Sequence, residues 1–192
     1  MRKLLCTLAA VLAVTAAPAV TAAVIDFDAP GLIEIDNATN RATYNEDGFS
    51  LAGDAAGFLT IDGLGSGASG GLVLFGGNSI SLVSMDGILF NFLGLDAGLF
   101  DPDTPAILSL TGIVGGNEQL STTLALGDLT SLSLTGWTGL SELRLSASAD
   151  LVIDNVQVSP VPEPDTGAML LLGLGTLVAL RSRHVRKAIG MR

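Results

Sequence analysis

The residue types that carry nucleophilic, Schiff-base and soft-metal chemistry are absent from the long middle of this chain. Residues 24–160 contain no Lys, His or Cys, and the four such residues of the chain lie in its two ends: Lys3, Cys6, His184 and Lys187. Ser-His-Asp and Cys-His catalysis, lysine Schiff bases, phosphate-binding P-loops and zinc sites therefore lack their essential atoms in the middle. The chemistry that remains is that of oxygen ligands.

Carboxylates dominate the same region. It holds 17 of the 19 Asp and Glu residues but only two of the nine Lys and Arg residues, Arg41 and Arg144, which gives a formal charge of −15. A phosphate backbone needs Lys and Arg to displace its counterions, so we expect no nucleic acid partner. Carboxylate oxygens suit Ca²⁺, and a bound divalent cation would relieve the self-repulsion of such a domain.

The elements that must position these carboxylates are predicted to be strands. Gly occurs 20 times in residues 24–160, about twice its average usage, which argues against long helices. Short runs with two-residue alternation predict about ten strands, at residues 24–28, 58–61, 72–75, 79–84, 88–95, 107–114, 120–126, 129–134, 140–147 and 151–158.

The predicted fold is all-β, with two antiparallel sheets packed as a sandwich of jelly-roll type. Runs of small residues at 52–57 and 63–71 are predicted to be loops. A β-solenoid is the second possibility, because many short Leu- and Gly-rich strands also suit stacked repeats.

The amino end has the three parts of a secretory signal peptide, predicted over residues 1–23. Arg2 and Lys3 precede an apolar run and then small residues, and we expect export by the Sec machinery with cleavage after Ala22 or Ala23. The apolar run is shorter than the about 20 residues that a retained membrane anchor needs.

The carboxyl end, residues 161–192, combines a Pro-rich break, an apolar stretch and a basic cluster. Residues 167–180 carry no charge, and as a helix they would extend about 21 Å, short of the roughly 30 Å hydrocarbon core. They are predicted to be a marginal transmembrane helix. The basic residues behind it would hold the tail in the cytoplasm by the positive-inside rule: Arg181, Arg183, Arg186 and Lys187.

The same segment resembles the PEP-CTERM sorting signal, through Pro162, Glu163 and Pro164, the Gly-containing apolar stretch and the Arg-rich end. The resemblance implies that an exosortase in the inner membrane of a Gram-negative bacterium recognises the triplet, and that the protein is associated with exopolysaccharide and biofilm. The two prolines oppose helix formation and keep this peptide extended. An ordinary single-span anchor after a Pro-rich linker is the alternative.

The middle is also similar to the sandwich domains often found before that signal, and many jelly-roll carbohydrate-binding domains hold a calcium ion between their first and last strands. By that analogy Asp26 or Asp28 is predicted to meet Asp154 at a structural calcium site. The alternative is that these three carboxylates are strand-end and solvent-facing groups.

Trp137 is the residue best suited to stack on a sugar ring, because it lies between Gly136 and Thr138 at a predicted loop or strand edge. The alternative role is to cap the sandwich core. No pair of carboxylates stands out as the acid and base of a glycosidase.

The function predicted from the sequence is therefore that of a non-enzymatic, exported envelope or matrix protein with a structural or adhesive domain. A carbohydrate-binding module and a carboxylate-dependent glycan hydrolase are the alternatives.

Overall fold

The computed structural model describes residues 22–28, 33–62 and 70–161, and their regular structure consists entirely of strands. The strands are β1 (Ala23–Ile25), β2 (Glu34–Asp36), β3 (Arg41–Glu46), β4 (Phe49–Asp54), β5 (Phe58–Asp62), β6 (Gly70–Leu74), β7 (Ser79–Ser84), β8 (Phe90–Leu99), β9 (Ile107–Val114), β10 (Asn117–Ala125), β11 (Thr130–Ser133), β12 (Glu142–Ala147) and β13 (Leu151–Pro160).

These strands form two antiparallel sheets, which confirms the predicted sandwich and not the solenoid. The smaller sheet has the order β11-β8-β13-β6-β5, with β1 added alongside β13, and the larger sheet has the order β10-β9-β12-β7-β4-β3-β2. From β6 onward the chain crosses repeatedly between the sheets, so that strands distant in sequence lie side by side.

One hydrophobic core lies between the two inner faces. Strand β12 illustrates the alternation that builds it, because Leu143 and Leu145 are buried while Arg144 is exposed. Phe49 of the larger sheet meets Phe90 of the smaller sheet edge-on, with ring centroids 5.4 Å apart. Edge-to-face aromatic pairs of this kind add to the stabilisation that burial provides.

Strand β13 changes its neighbour partway along its length. Residues 151–153 pair with β6, whereas residues 156–158 pair with β1, and β8 lies on the opposite side. The change coincides with a bulge, where the register with β8 shifts after Asp154 and Asn155 has a φ of 47°. A bulge bends the strand and re-aims its side chains, and Asn tolerates the left-handed backbone better than most residues.

The predicted loops at 52–57 and 63–71 are each wrong at one end, because residues 52–54 belong to β4 and residues 70 and 71 to β6. The small residues there serve close packing within sheets. A Cβ atom on Gly53 would lie 2.9 Å from the carbonyl oxygen of Ser79, a separation that real Cβ atoms do not adopt.

The sequence patterns also miss β2, β3 and β4 of the larger sheet. Strands β3 and β4 form a hairpin with a two-residue turn, in which Asp47 has a φ of 48° and Gly48 a φ of 81°. This is the Asp-Gly turn that suits the twist of paired strands.

The predicted signal peptide, except Ala22 and Ala23, and the predicted helix at 167–180 with its basic tail lie outside the described residues. Ala23 begins β1, so cleavage after Ala22 would leave that strand whole. Within the described ranges, the structure contains no helix long and apolar enough to cross a membrane.

Candidate functional site

The three carboxylates predicted to bind calcium come from two neighbouring segments. Asp26 and Asp28 follow β1, which pairs with the part of β13 just beyond Asp154. Burial raises the pKa of Asp154, and the negative charges of Asp96, Asp28 and Asp26 raise it further. The fold thus brings Asp26 and Asp28 close enough to Asp154 for their charges to act on it.

Asp96 is a fourth carboxylate near Asp154, and the sequence patterns did not predict it. Asp26, Asp28, Asp96 and Asp154 are hereafter called the acidic group. Asp96 lies directly opposite Asp154 across β8 and β13, and its Oδ2 accepts a hydrogen bond of 2.9 Å from Asn155 Nδ2. Asp154 is only 4% exposed, and its Oδ1 accepts the Asn155 N–H at 2.6 Å. Such a pairing depends on strand register, which the local pattern does not encode.

The acidic group is not a ready metal site in its present arrangement. Carboxylate oxygens are suitable ligands for Ca²⁺, but no set of three or more His, Cys, Asp or Glu side chains in the described part of the chain is arranged to hold an ion. Calcium binding there remains a prediction.

A second carboxylate, Glu46, joins the loop after β1 to the larger sheet. Its Oε2 accepts hydrogen bonds from the Tyr44 hydroxyl at 2.9 Å and from the Phe27 N–H at 3.2 Å. Burial raises the pKa of Glu46, and burial with the adjacent Glu46 carboxylate raises the pKa of Tyr44. These contacts give Glu46 a structural role, because each fixes a group in the packed junction.

Trp137 occupies the core and not an exposed sugar platform. Its side chain is 6% exposed, its ring meets Phe92 edge-on at a centroid distance of 6.0 Å, and Gly112 lies beneath it. This burial corrects the expectation that the Trp137 ring presents a face to a sugar, and it supports the core-capping alternative.

The aromatic side chain that the structure exposes is Phe100, which is 47% exposed. It follows β8 next to a shallow cleft of about 430 Å³. The cleft is lined by Leu99, Pro102, Gly127, Asp128 and Leu129.

The outer surface of the larger sheet carries both arginines of residues 24–160, and the sequence reasoning missed this site. A depression of about 390 Å³ lies there, hereafter the arginine depression, lined by Arg41, Ala52, Ser81, Val83, Glu142 and Arg144. Its lining comes from four adjacent strands, β3, β4, β7 and β12. The scarcity of cations was visible in the sequence, but only the strand order brings the two arginines to one surface.

Hydrogen bonds hold the acceptor side of the depression in place. Glu142 Oε1 accepts from Ser81 Oγ at 2.7 Å and from Arg144 Nε at 2.7 Å, and Arg144 also donates to Glu118 Oε1 at 3.0 Å. Burial opposes ionisation of Glu142, but the hydrogen bonds from Arg144 and Ser81, with the charges of Arg144 and Arg41, lower its pKa. The depression therefore presents an ionised acceptor beside guanidinium donors.

These features define an antiparallel β-sandwich domain with a polar depression on its larger sheet. Residues 160–187, which begin at the last residue of β13, match the family model described as the PEP-CTERM protein-sorting motif. The chain therefore carries the sorting signal that its end resembles, and this signal implies exosortase-sorted export with transit through the membrane. The triplet Pro162, Glu163, Pro164 and the basic tail lie within the match but outside the described residues.

Three solved structures show a remote similarity of shape. A xylan-binding CBM22-1 domain of Paenibacillus barcinonensis Xyn10C has 17% identity and a TM-score of 0.42 over 77% of this chain and 99% of that one. The CBM22-1 and GH10 modules of Clostridium thermocellum xylanase 10B, complexed with xylohexaose, have 11% identity and a TM-score of 0.42 over 74% and 28%. TmCBM61 in complex with β-1,4-galactotriose has 11% identity and a TM-score of 0.37 over 60% and 90%.

Similarities at this level carry no functional argument. Among curated proteins, none matches this chain in sequence.

Replacing Asp154 by Asn is expected to raise the free energy of unfolding in calcium-free buffer at pH 7, by on the order of 1 kcal/mol. The amide oxygen can still accept the Asn155 N–H, while the charge that Asp96, Asp28 and Asp26 oppose is removed. Because the raised pKa means that the folded state holds this proton more tightly, the wild type gains stability as pH falls through that pKa, and the advantage of D154N shrinks. Urea unfolding from pH 8 down to pH 4, close to the ordinary pKa of an aspartate, measures both effects.

The matched control is D128N, which removes an exposed charge and is expected to change stability little at any pH. No His lies among the described residues to add its own titration in this range. A D154N variant less stable than the wild type at pH 7 would contradict the repulsion assigned to Asp154.

Proposed function

We propose that the chain is an exported, non-enzymatic β-sandwich protein that an exosortase sorts to the envelope or extracellular matrix of a Gram-negative bacterium. Its role there is structural or adhesive and is associated with exopolysaccharide. The signal peptide at 1–23 directs it to the Sec machinery, and the apolar segment at 167–180 anchors it in the inner membrane during sorting.

The observation that carries this proposal is the position of the sorting motif relative to the last strand. Pro160 is the last residue of β13 and pairs with Phe90, and the Val161 N–H donates to the Leu89 carbonyl oxygen at 2.7 Å. The Pro162, Glu163, Pro164 triplet begins at the next residue. Cleavage at or beyond the triplet therefore leaves every strand of the sandwich in the released protein.

In this proposal, the carboxylates of the cleft beside Phe100 and of the arginine depression have no catalytic role. A glycosidase requires two carboxyl groups about 5 to 9.5 Å apart on either side of the sugar. Asp128 is the one carboxylate that lines the cleft beside Phe100, and Glu142 is the one that lines the arginine depression. Glu46 and Asp154, whose pKa values are raised, line neither of these two surfaces.

A carbohydrate-binding module is the second candidate function. The arginine depression favours it, because sugars are bound by ordered polar side chains that both donate and accept hydrogen bonds. Because Trp137 is buried and Phe100 is exposed, the arginine depression and the surface around Phe100 are the candidate sugar-binding surfaces.

Calcium binding at Asp26, Asp28 and Asp154 is part of the proposal, and Asp96 is added to the group because of its position opposite Asp154. A bound ion would offset the repulsion among these carboxylates.

Ca²⁺ is expected to raise the melting temperature of the wild type and to give a measurable heat of binding in calorimetry. The D154N variant is expected to show neither effect. A wild type with no heat and no change in melting temperature would remove the calcium site.

The sorting proposal predicts a specific change in intact mass. When the protein is expressed in a host that has an exosortase, the extracellular form is expected to lack the segment after the Pro162, Glu163, Pro164 triplet. In the matched host without the enzyme, the segment is expected to remain and the protein to stay in the membrane fraction. Mass spectrometry of both fractions measures this difference.

Replacement of Glu163 by Ala is a control within the chain, because it alters the triplet and leaves the sandwich unchanged. This variant is expected to keep its carboxyl segment even in the host that has the exosortase. A carboxyl segment retained equally in both hosts would make the tail a plain anchor and would contradict the proposed sorting and matrix role.

A further inference from the structure

The arginine depression contains a donor and an acceptor that the fold leaves available to a ligand. Arg41 faces Asp36 on one neighbouring strand and Asp54 on the other. Among the described residues neither carboxylate forms an ion pair with it. Asp36 instead accepts the Ala38 N–H at 2.9 Å and the Thr39 hydroxyl at 2.6 Å. The guanidinium of Arg41 thus remains exposed at the rim of the depression.

The acceptor is the carboxylate of Glu142. Its Oε1 is used by Ser81 and Arg144, which fixes the orientation of the group, and no hydrogen bond to Oε2 is found within the described residues. A fixed carboxylate and a free guanidinium on one surface can bind hydroxyls at two points along an oligosaccharide, because a hydroxyl both donates and accepts. Polar groups held in place before binding lose little entropy when a ligand arrives.

A row of mostly small and polar residues crosses the depression and continues beyond β12 onto β9 and β10. The strand registers place Ser121, Thr111, Arg144, Ser81, Ala52 and Thr43 side by side across six strands. Five intervals of about 4.8 Å give a path of roughly 24 Å. An extended oligosaccharide fits such a path, since it needs contacts along its length more than a deep pocket.

The negative charge of the domain favours a neutral ligand over an anionic one. Residues 24–160 carry a formal charge of −15, Arg144 is paired with Glu118 and Glu142, and Asp36 and Asp54 lie beside Arg41. A polyanion would be repelled over most of this surface. A neutral chain of hydroxyl groups does not meet this repulsion.

We infer that the arginine depression binds a neutral polysaccharide, with the Arg41 guanidinium donating to, and the Glu142 carboxylate accepting from, hydroxyl groups of one polysaccharide chain. This inference rests on the proposed matrix role and names the ligand class for it. The row of small polar side chains supports the neighbouring sugar residues.

Affinity electrophoresis of the exported protein tests the inference. Gels containing dextran, galactomannan or mixed-linkage β-glucan serve as neutral probes, and gels containing alginate serve as the acidic probe. At least one neutral gel is expected to retard the wild type, with little dependence on salt. Arg41→Ala is expected to weaken that retardation about tenfold, because it removes the free donor from an exposed position without disturbing the core.

Two further variants keep the result interpretable. Ser81→Ala removes one of the two hydrogen bonds that orient Glu142 and is expected to weaken retardation less than Arg41→Ala does. Ser131→Ala, on an exposed position of the smaller sheet, is expected to have no effect. Urea unfolding of each variant confirms that the sandwich is intact.

Three outcomes would overturn the inference. These are retardation by alginate alone in the presence of EDTA, loss of binding in Phe100→Ala but not in Arg41→Ala, and no retardation of a correctly folded wild type by any neutral gel. In each case, exosortase-dependent processing can still succeed, so the proposed function would survive. Failure of processing would instead refute the proposed function whatever the gels show.

Discussion

The pairing of β13 with its neighbours is the constraint on which the rest of the sandwich depends. This strand lies between β8 and β6 over its first residues and between β8 and β1 beyond the bulge, so it joins the two ends of the domain within one sheet. Asp154 lies opposite Asp96 at the last paired position before the bulge, where Asn155 has a left-handed backbone conformation. The acidic group and the junction with the sorting motif therefore both follow from the conformation of one strand.

The charge of the domain has opposite consequences in two places. Near β13, burial and the negative charges of Asp96, Asp28 and Asp26 raise the pKa of Asp154, which costs stability at neutral pH unless a cation or a proton is bound. On the larger sheet, the two arginines lower the pKa of Glu142 and keep it ionised. The proposed cation near β13 and the proposed sugar hydroxyls at the arginine depression thus belong to two different regions of one domain with a strongly negative total charge.

Much of the fold could be predicted from local patterns, whereas most of the site could not. Residues 79–84 and 107–114 have their predicted bounds as β7 and β9, because alternation of apolar and polar side chains is a local property. Strand β3 was missed because Arg41, Asn45 and Glu46 dilute its alternation, although the following Asp-Gly pair is a hairpin turn. Trp137, Asp96 and the arginine depression depend on burial and strand order, which form only when distant segments pack.

The most direct test of this account is native-state hydrogen exchange of the exosortase-processed, extracellular protein. If the sorting motif begins where the folded domain ends, the amides of β13 that pair with β6, β8 and β1 are expected to be strongly protected and to exchange at the same rates before and after processing. Rapid exchange of the β13 amides in the processed protein would show that cleavage disrupts the last strand. That result would contradict the claim that the sandwich is the intact cargo of the sorting signal.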